Sequence, residues 1–196
     1  MPLRPGTMDP RVRLAAMILV VLIFPIAYVA AISAVLPHES LAFEAGWTDP
    51  SFSGWTANAS QGTSSVLSVS NGTLSVISAA TVTPQQFVAA DSPNLPAVDI
   101  SRYHFLIVSI RAPAYYVGAR IAILTGTGGP TLVLVKTYAD TEWHTEVIDL
   151  RFFGLSIATP LRMIELGWQG VETPAPATTH VEFQGLSLAK QMGEPA

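Results

Sequence analysis

The sequence contains no cysteine. That excludes disulfides, thiolate metal sites, iron–sulfur clusters and thiol nucleophiles, so the fold has to be held by its core alone. Lysine occurs only at Lys136 and Lys190, and charged residues of all kinds make up 12% of the 196 residues. After Pro37 there are seven basic and thirteen acidic residues, a balance of −6. A nucleic-acid partner needs a basic face and is excluded on that ground. Catalytic signatures are missing too. Thr125-Gly-Thr-Gly-Gly129 lacks the serine of a nucleophile elbow and the Lys-Ser/Thr of a phosphate loop. Asp91, Asp99, Asp140, Asp149 and Glu165 are scattered over strand ends and turns, and Asp99 and Asp140 suit turn hydrogen bonding. No haem attachment pattern occurs. The chain is expected to be non-catalytic and to carry no cofactor.

One stretch lacks charge altogether. Leu14 to Leu36, LAAMILVVLIFPIAYVAAISAVL, has no charged residue. As a helix it measures roughly 34 Å, against a hydrocarbon core of about 30 Å. It reads as a single transmembrane helix. Arg4, Arg11 and Arg13 precede it, whereas no Lys or Arg follows before Arg102. Basic flanks stay inside, so the N-terminus is expected in the cytoplasm and the rest in the periplasm or outside the cell. A cleaved signal peptide is the rival, with small residues Ala31, Ser33 and Ala34 near its end, but the apolar run exceeds the usual 7–15 residues of a signal core. Ala27 and Ala31, and Ala30 and Ala34, are spaced four apart, which suits close packing on other membrane helices. The expected division is a cytoplasmic tail 1–13, a membrane helix 14–36, a linker 37–40, an outer domain 41–189 and a loose tail 190–196.

The outer domain reads as short strands between Gly/Pro turns. Ser65-Val-Leu-Ser-Val-Ser and Thr73-Leu-Ser-Val-Ile-Ser flank Asn71-Gly72, which predicts a hairpin with a type I′ turn. Tyr103 to Arg111 is apolar on both parities and predicts a central strand covered on both faces. Val117–Leu124 and Thr131–Tyr138 predict a second hairpin. In His180–Leu188 a bulge at Gln184-Gly185 would bring Val181, Phe183, Leu186 and Leu188 to one face. Nine or ten strands with no long helix predict an all-β, two-sheet antiparallel sandwich.

Four segments carry a resemblance: the strand with Phe43 and Trp47, Tyr103-His-Phe-Leu-Ile-Val-Ser-Ile, Trp143-His-Thr-Glu-Val-Ile-Asp-Leu, and Val181-Glu-Phe-Gln-Gly-Leu-Ser-Leu. Together, over Leu41 to Leu188, they resemble a galactose-binding-like jelly roll, the fold of many carbohydrate-binding modules. The resemblance implies a sugar-binding or purely interacting module, and no ligand residue is carried over.

Candidate side chains are few. Trp55, Tyr115 and Tyr116 lie in predicted loops and could stack on a sugar ring, with loop packing or a lipid or protein contact as the alternatives for the tyrosines. Trp47, Trp143 and Trp168 are expected in the core. Glu142, His144 and Glu146 alternate along a strand, a weak metal pattern better read as a solvated face, with Trp143, Thr145 and Val147 turned inward. Asn58-Ala-Ser and Asn71-Gly-Thr match the glycosylation pattern. The leading expectation is a single-pass accessory subunit whose partners are the bilayer and other integral membrane subunits, an energy-transducing complex being one candidate host. The alternative is a membrane-tethered carbohydrate-binding module with a glycan partner. A hydrolase or metal-dependent enzyme ranks third.

Overall fold

The computed structural model describes residues 42–95, 98–113, 117–125, 129–153 and 160–193. The chain divides between Leu41 and Ala42. The expected membrane helix with Ala27, Ala30, Ala31 and Ala34 lies outside the described residues, as do Tyr115 and Tyr116. Among the described residues no helix is long and apolar enough to cross a membrane.

Eleven strands are described: β1 (Phe43–Asp49), β2 (Thr56–Ala59), β3 (Ser65–Ser70), β4 (Thr73–Ser78), β5 (Phe87–Asp91), β6 (Phe105–Arg111), β7 (Val117–Thr125), β8 (Thr131–Lys136), β9 (His144–Asp149), β10 (Leu161–Gly170) and β11 (His180–Gln191). A 3-10 turn, Leu150–Phe153, follows β9. The strands form two antiparallel sheets. The first runs β3-β4-β11-β6-β9, with β1 also paired to β11, and the second runs β2-β5-β10-β7-β8. This is the expected all-β sandwich with a jelly-roll arrangement.

The β3–β4 hairpin turns on Asn71 and Gly72 at φ 50° and 72°, as a type I′ turn requires. Gly185, at φ 65°, shifts the register of β11 between Gln184 and Ser187. That bulge puts Val181, Phe183, Leu186 and Leu188 on the buried face, each at most 1% exposed. The first half of β11 pairs with β4 and the second half with β1, so one strand bridges both ends of the first sheet. It continues through Lys190 and Gln191, two residues into the expected tail, because they pair with Glu44 and Phe43.

Two strand readings are corrected. β6 alternates between buried Leu106, Val108 and Ile110 and half-exposed Phe105, Ile107 and Ser109, so only one of its faces is sealed. The strand buried on both faces is β10, where Ile164 through Trp168 are all buried. β9 has the opposite parity to the one expected. Ile148 pairs with Leu106 and is 7% exposed, whereas Val147 is 45% exposed. Ile148 and the buried Leu150 fix the parity, and that turns His144 and Glu146 inward at the sandwich rim.

The sheets meet over one continuous core. Trp168 on β10 is fully buried, and its indole N–H donates to the Val76 carbonyl on β4 at 2.9 Å, joining the two layers.

Candidate functional site

The outward face of the second sheet carries charge where a strand pattern calls for apolar residues. β10 reads Leu-Arg-Met-Ile-Glu-Leu-Gly-Trp and β7 reads Val-Gly-Ala-Arg-Ile-Ala-Ile, so Glu165 and Arg120 each interrupt an apolar run. Pairing brings them together. Glu165 lies opposite Asp91 of β5 on one side and Ala122 of β7 on the other. One rung along, Gly167 lies between Ala89 of β5 and Arg120, and Ala89 pairs with Asn58 of β2. Asn58 and Arg120 therefore stand on either side of the two smallest residues of the rung. Both reach diagonally to the carboxylates.

Arg120 Nη1 donates to Glu165 Oε1 in an ion pair. Asn58 Nδ2 donates to Glu165 Oε2 at 2.9 Å and to Asp91 Oδ1 at 3.3 Å. The Arg120 guanidinium lies 4.1 Å from the centre of the Phe87 ring. Glu165 is 2% exposed. Burial pushes its carboxyl above the usual range against the pull of Arg120, and the neighbouring Asp91 charge adds to the rise. Burial likewise raises Asp91, opposed by the Asn58 hydrogen bond and by Arg120. Two polar partners, Arg120 and Asn58, thus hold two crowded carboxylates with a single cation.

The floor of this cluster is kept bare. A Cβ on Gly167 would fall 2.3 Å from the Val88 carbonyl oxygen and 2.7 Å from Ala89, so no side chain fits there. Phe87, Gln169 and Gly118 make the next rung. The result is a compact patch in which the Arg120 guanidinium lies over the Phe87 ring and meets the Asn58 amide and the two carboxylates.

The expected site residues fall elsewhere. Trp55 is 9% exposed, packs edge-on against Phe52 at 5.5 Å and donates its indole N–H to Asp49 Oδ2 at 2.7 Å. It plugs the corner between β1 and β2 and offers no open ring face, so it is withdrawn as a ligand platform. Glu142, His144 and Glu146 do not converge. Glu146 accepts from Lys136 Nζ at 2.7 Å and from the Tyr138 hydroxyl at 3.1 Å. His144 stacks on Tyr138 at 4.5 Å and bonds Asp140 at 2.6 Å, while Glu142 is exposed. Burial raises the Tyr138 hydroxyl pKa far above the ordinary phenol value, and the Glu146 charge raises it further. These contacts close the rim between β8 and β9. Among the described residues no group of three or more potential ligands could hold a metal ion. Trp47 packs against the core and Trp168 lies within it, but Trp143 sits half-buried under the Arg111 guanidinium at 4.9 Å. Asp99 and Asp140 do cap turns, accepting from the Ser101 and Glu142 amides at 2.9 and 3.0 Å.

No family model matches the sequence, and no curated protein does. Solved structures match the fold. A family 11 carbohydrate-binding module from Clostridium thermocellum, in complex with a β-1,3-1,4-mixed-linked tetrasaccharide, aligns over 71% of this chain and 91% of its own, at 12% identity and TM-score 0.55. The family 11 module of the cellulosomal cellulase Lic26A-Cel5E of Clostridium thermocellum aligns over 76% of this chain and 94% of its own, at 15% identity and TM-score 0.54. The class defined here is the jelly-roll β-sandwich that such modules share. At these identities the likeness is one of fold.

Proposed function

We propose that this chain is a non-catalytic glycan-binding module carried on a membrane tether, Leu14 to Leu36, with the polar patch on the second sheet as its ligand site. The observation behind this reading is the Asn58, Asp91, Arg120 and Glu165 array around bare Gly167, with Phe87 beside it. Planar guanidinium, amide and carboxylate groups present paired donors and acceptors at the spacing of vicinal hydroxyls, and an aromatic ring covers the apolar face of a pyranose. Two carboxylates facing one guanidinium favour a neutral polysaccharide over an acidic one. The fold shared with modules that include a tetrasaccharide complex supports the same class of ligand.

The paired carboxylates do not suit glycoside hydrolysis. Asn58 Nδ2 bonds both of them, so the space where a scissile bond would sit is already spanned. No feature among the described residues carries the accessory-subunit expectation.

The test is binding of the full chain in detergent to a panel of neutral and acidic polysaccharides, with mixed-linked β-glucan as first probe. Arg120→Ala should abolish retention in an affinity gel, and Trp55→Phe should leave it intact. Equal retention of wild type and Arg120→Ala, or retention by acidic polymers alone, would overturn the reading.

A further inference from the structure

The geometry points to one end of the sandwich as a lipid-contacting surface that seats the domain directly on phospholipid headgroups. This rests on the membrane tether but not on the glycan site. That end is where the described chain begins. The Met192 amide donates to the Ala42 carbonyl at 2.8 Å, so β1 and the end of β11 start and finish together. Phe43 meets Phe105 edge-on at 5.3 Å, and the Arg151 guanidinium lies 5.5 Å from the Phe105 ring. Arg151 leads straight into Phe152 and Phe153 on the 3-10 turn.

Phe152 is 85% exposed, the highest value among the exposed large apolar side chains of the described residues. Its exposure is built in. Leu150, 1% exposed, anchors the turn, and its amide donates to the His104 carbonyl at 2.8 Å. Phe153 at 36% and Met192 at 61% extend the apolar surface. Arg102, Arg151 and Lys190 lie at the same end, Arg151 paired with Asp149 and Lys190 with Glu44. The opposite end presents exposed Asp140, Glu142 and Glu172, and the exposed large apolar residues toward it are the valines Val66 and Val135 rather than aromatic rings. Exposed apolar rings at the end where the described chain begins match a headgroup layer at that end.

Chain length selects this occupant. Five residues, Pro37 to Leu41, separate Leu36 from Ala42. At no more than about 3.6 Å per residue, they span at most about 22 Å. The headgroup layer takes up roughly 5–7 Å of that on each side of the bilayer. A linker of that length leaves the strand end that begins at Ala42 within about 15 Å of the headgroups, close enough for Phe152, Phe153 and Met192 to reach them.

Because the chain has no cysteine, single positions can be labelled without altering the background. Phe152→Cys, Met192→Cys and the control Glu172→Cys would each carry an environment-sensitive fluorophore, with the full chain in vesicles of phosphatidylcholine and phosphatidylglycerol. Spin-labelled lipid should quench the labels at 152 and 192 severalfold more than the label at 172, and iodide in the buffer should do the reverse. Phe152→Glu should weaken lipid quenching of the 192 label without changing polysaccharide retention. Flotation of the vesicles reports the tether separately. Flotation with equal lipid quenching at 152 and 172 would overturn the docking surface alone. Failure to float would overturn both the tether and the surface that depends on it.

Discussion

At the scale of single residues, the second sheet is organised by one arginine. Among the described residues Arg120 is the only cation against Glu165 and Asp91, both of which burial makes reluctant to ionise. Removing it alone, as in Arg120→Met, should cost up to about 3 kcal/mol in urea unfolding, because a buried carboxylate loses its partner. The sign of the pH effect follows from the raised values. The folded state holds these protons more tightly than the unfolded chain, so their contribution is full below the ordinary carboxylate range and is lost as pH rises through the raised values. Glu165→Gln should therefore flatten the fall of stability with rising pH over that window, as seen in urea midpoints at stepped pH. A charged residue interrupting an apolar strand was visible for both Glu165 and Arg120. What the sequence could not supply was the cross-strand register that makes them partners 45 positions apart. Asn58 was masked differently. Its Asn-Ala-Ser pattern points to a surface glycan, whereas the amide bonds two carboxylates.

At the scale of elements, local chemistry was legible and burial was not. Asn71-Gly72 and Gly185 dictate their own backbone, so the hairpin and the bulge could be read directly. β9 could not, since its charged and apolar residues alternate ambiguously until Ile148 and Leu150 are known to be sealed. β10 is the least forgiving strand. Gly167→Ala would drive a methyl into the Val88 carbonyl and the Ala89 backbone, and should lower stability by about 2 kcal/mol or more through overpacking, measurable as a reduced melting temperature. The same change should weaken polysaccharide retention, because β5 and β10 carry both carboxylates. Trp168→Phe, which keeps most of the volume but removes the N–H to Val76, should cost about 1–3 kcal/mol by leaving a buried carbonyl without its donor.

At the scale of the whole molecule, the composition anticipated a fold without covalent staples, and one continuous core across two sheets supplies it. β11 contributes five side chains that are at most 1% exposed and pairs with β1, β4 and β6. A chain ending at Thr179 should therefore lack cooperative unfolding and be cut rapidly by protease. Among the described strands, the first has a single neighbour, and that neighbour is the last. The two can meet only once residue 191 has been made, so a pairing this distant in sequence makes completion of the domain a late step. Until β11 is in place the first sheet lacks its middle strand, so an unfinished domain stays open along its whole length and closes in a single late step.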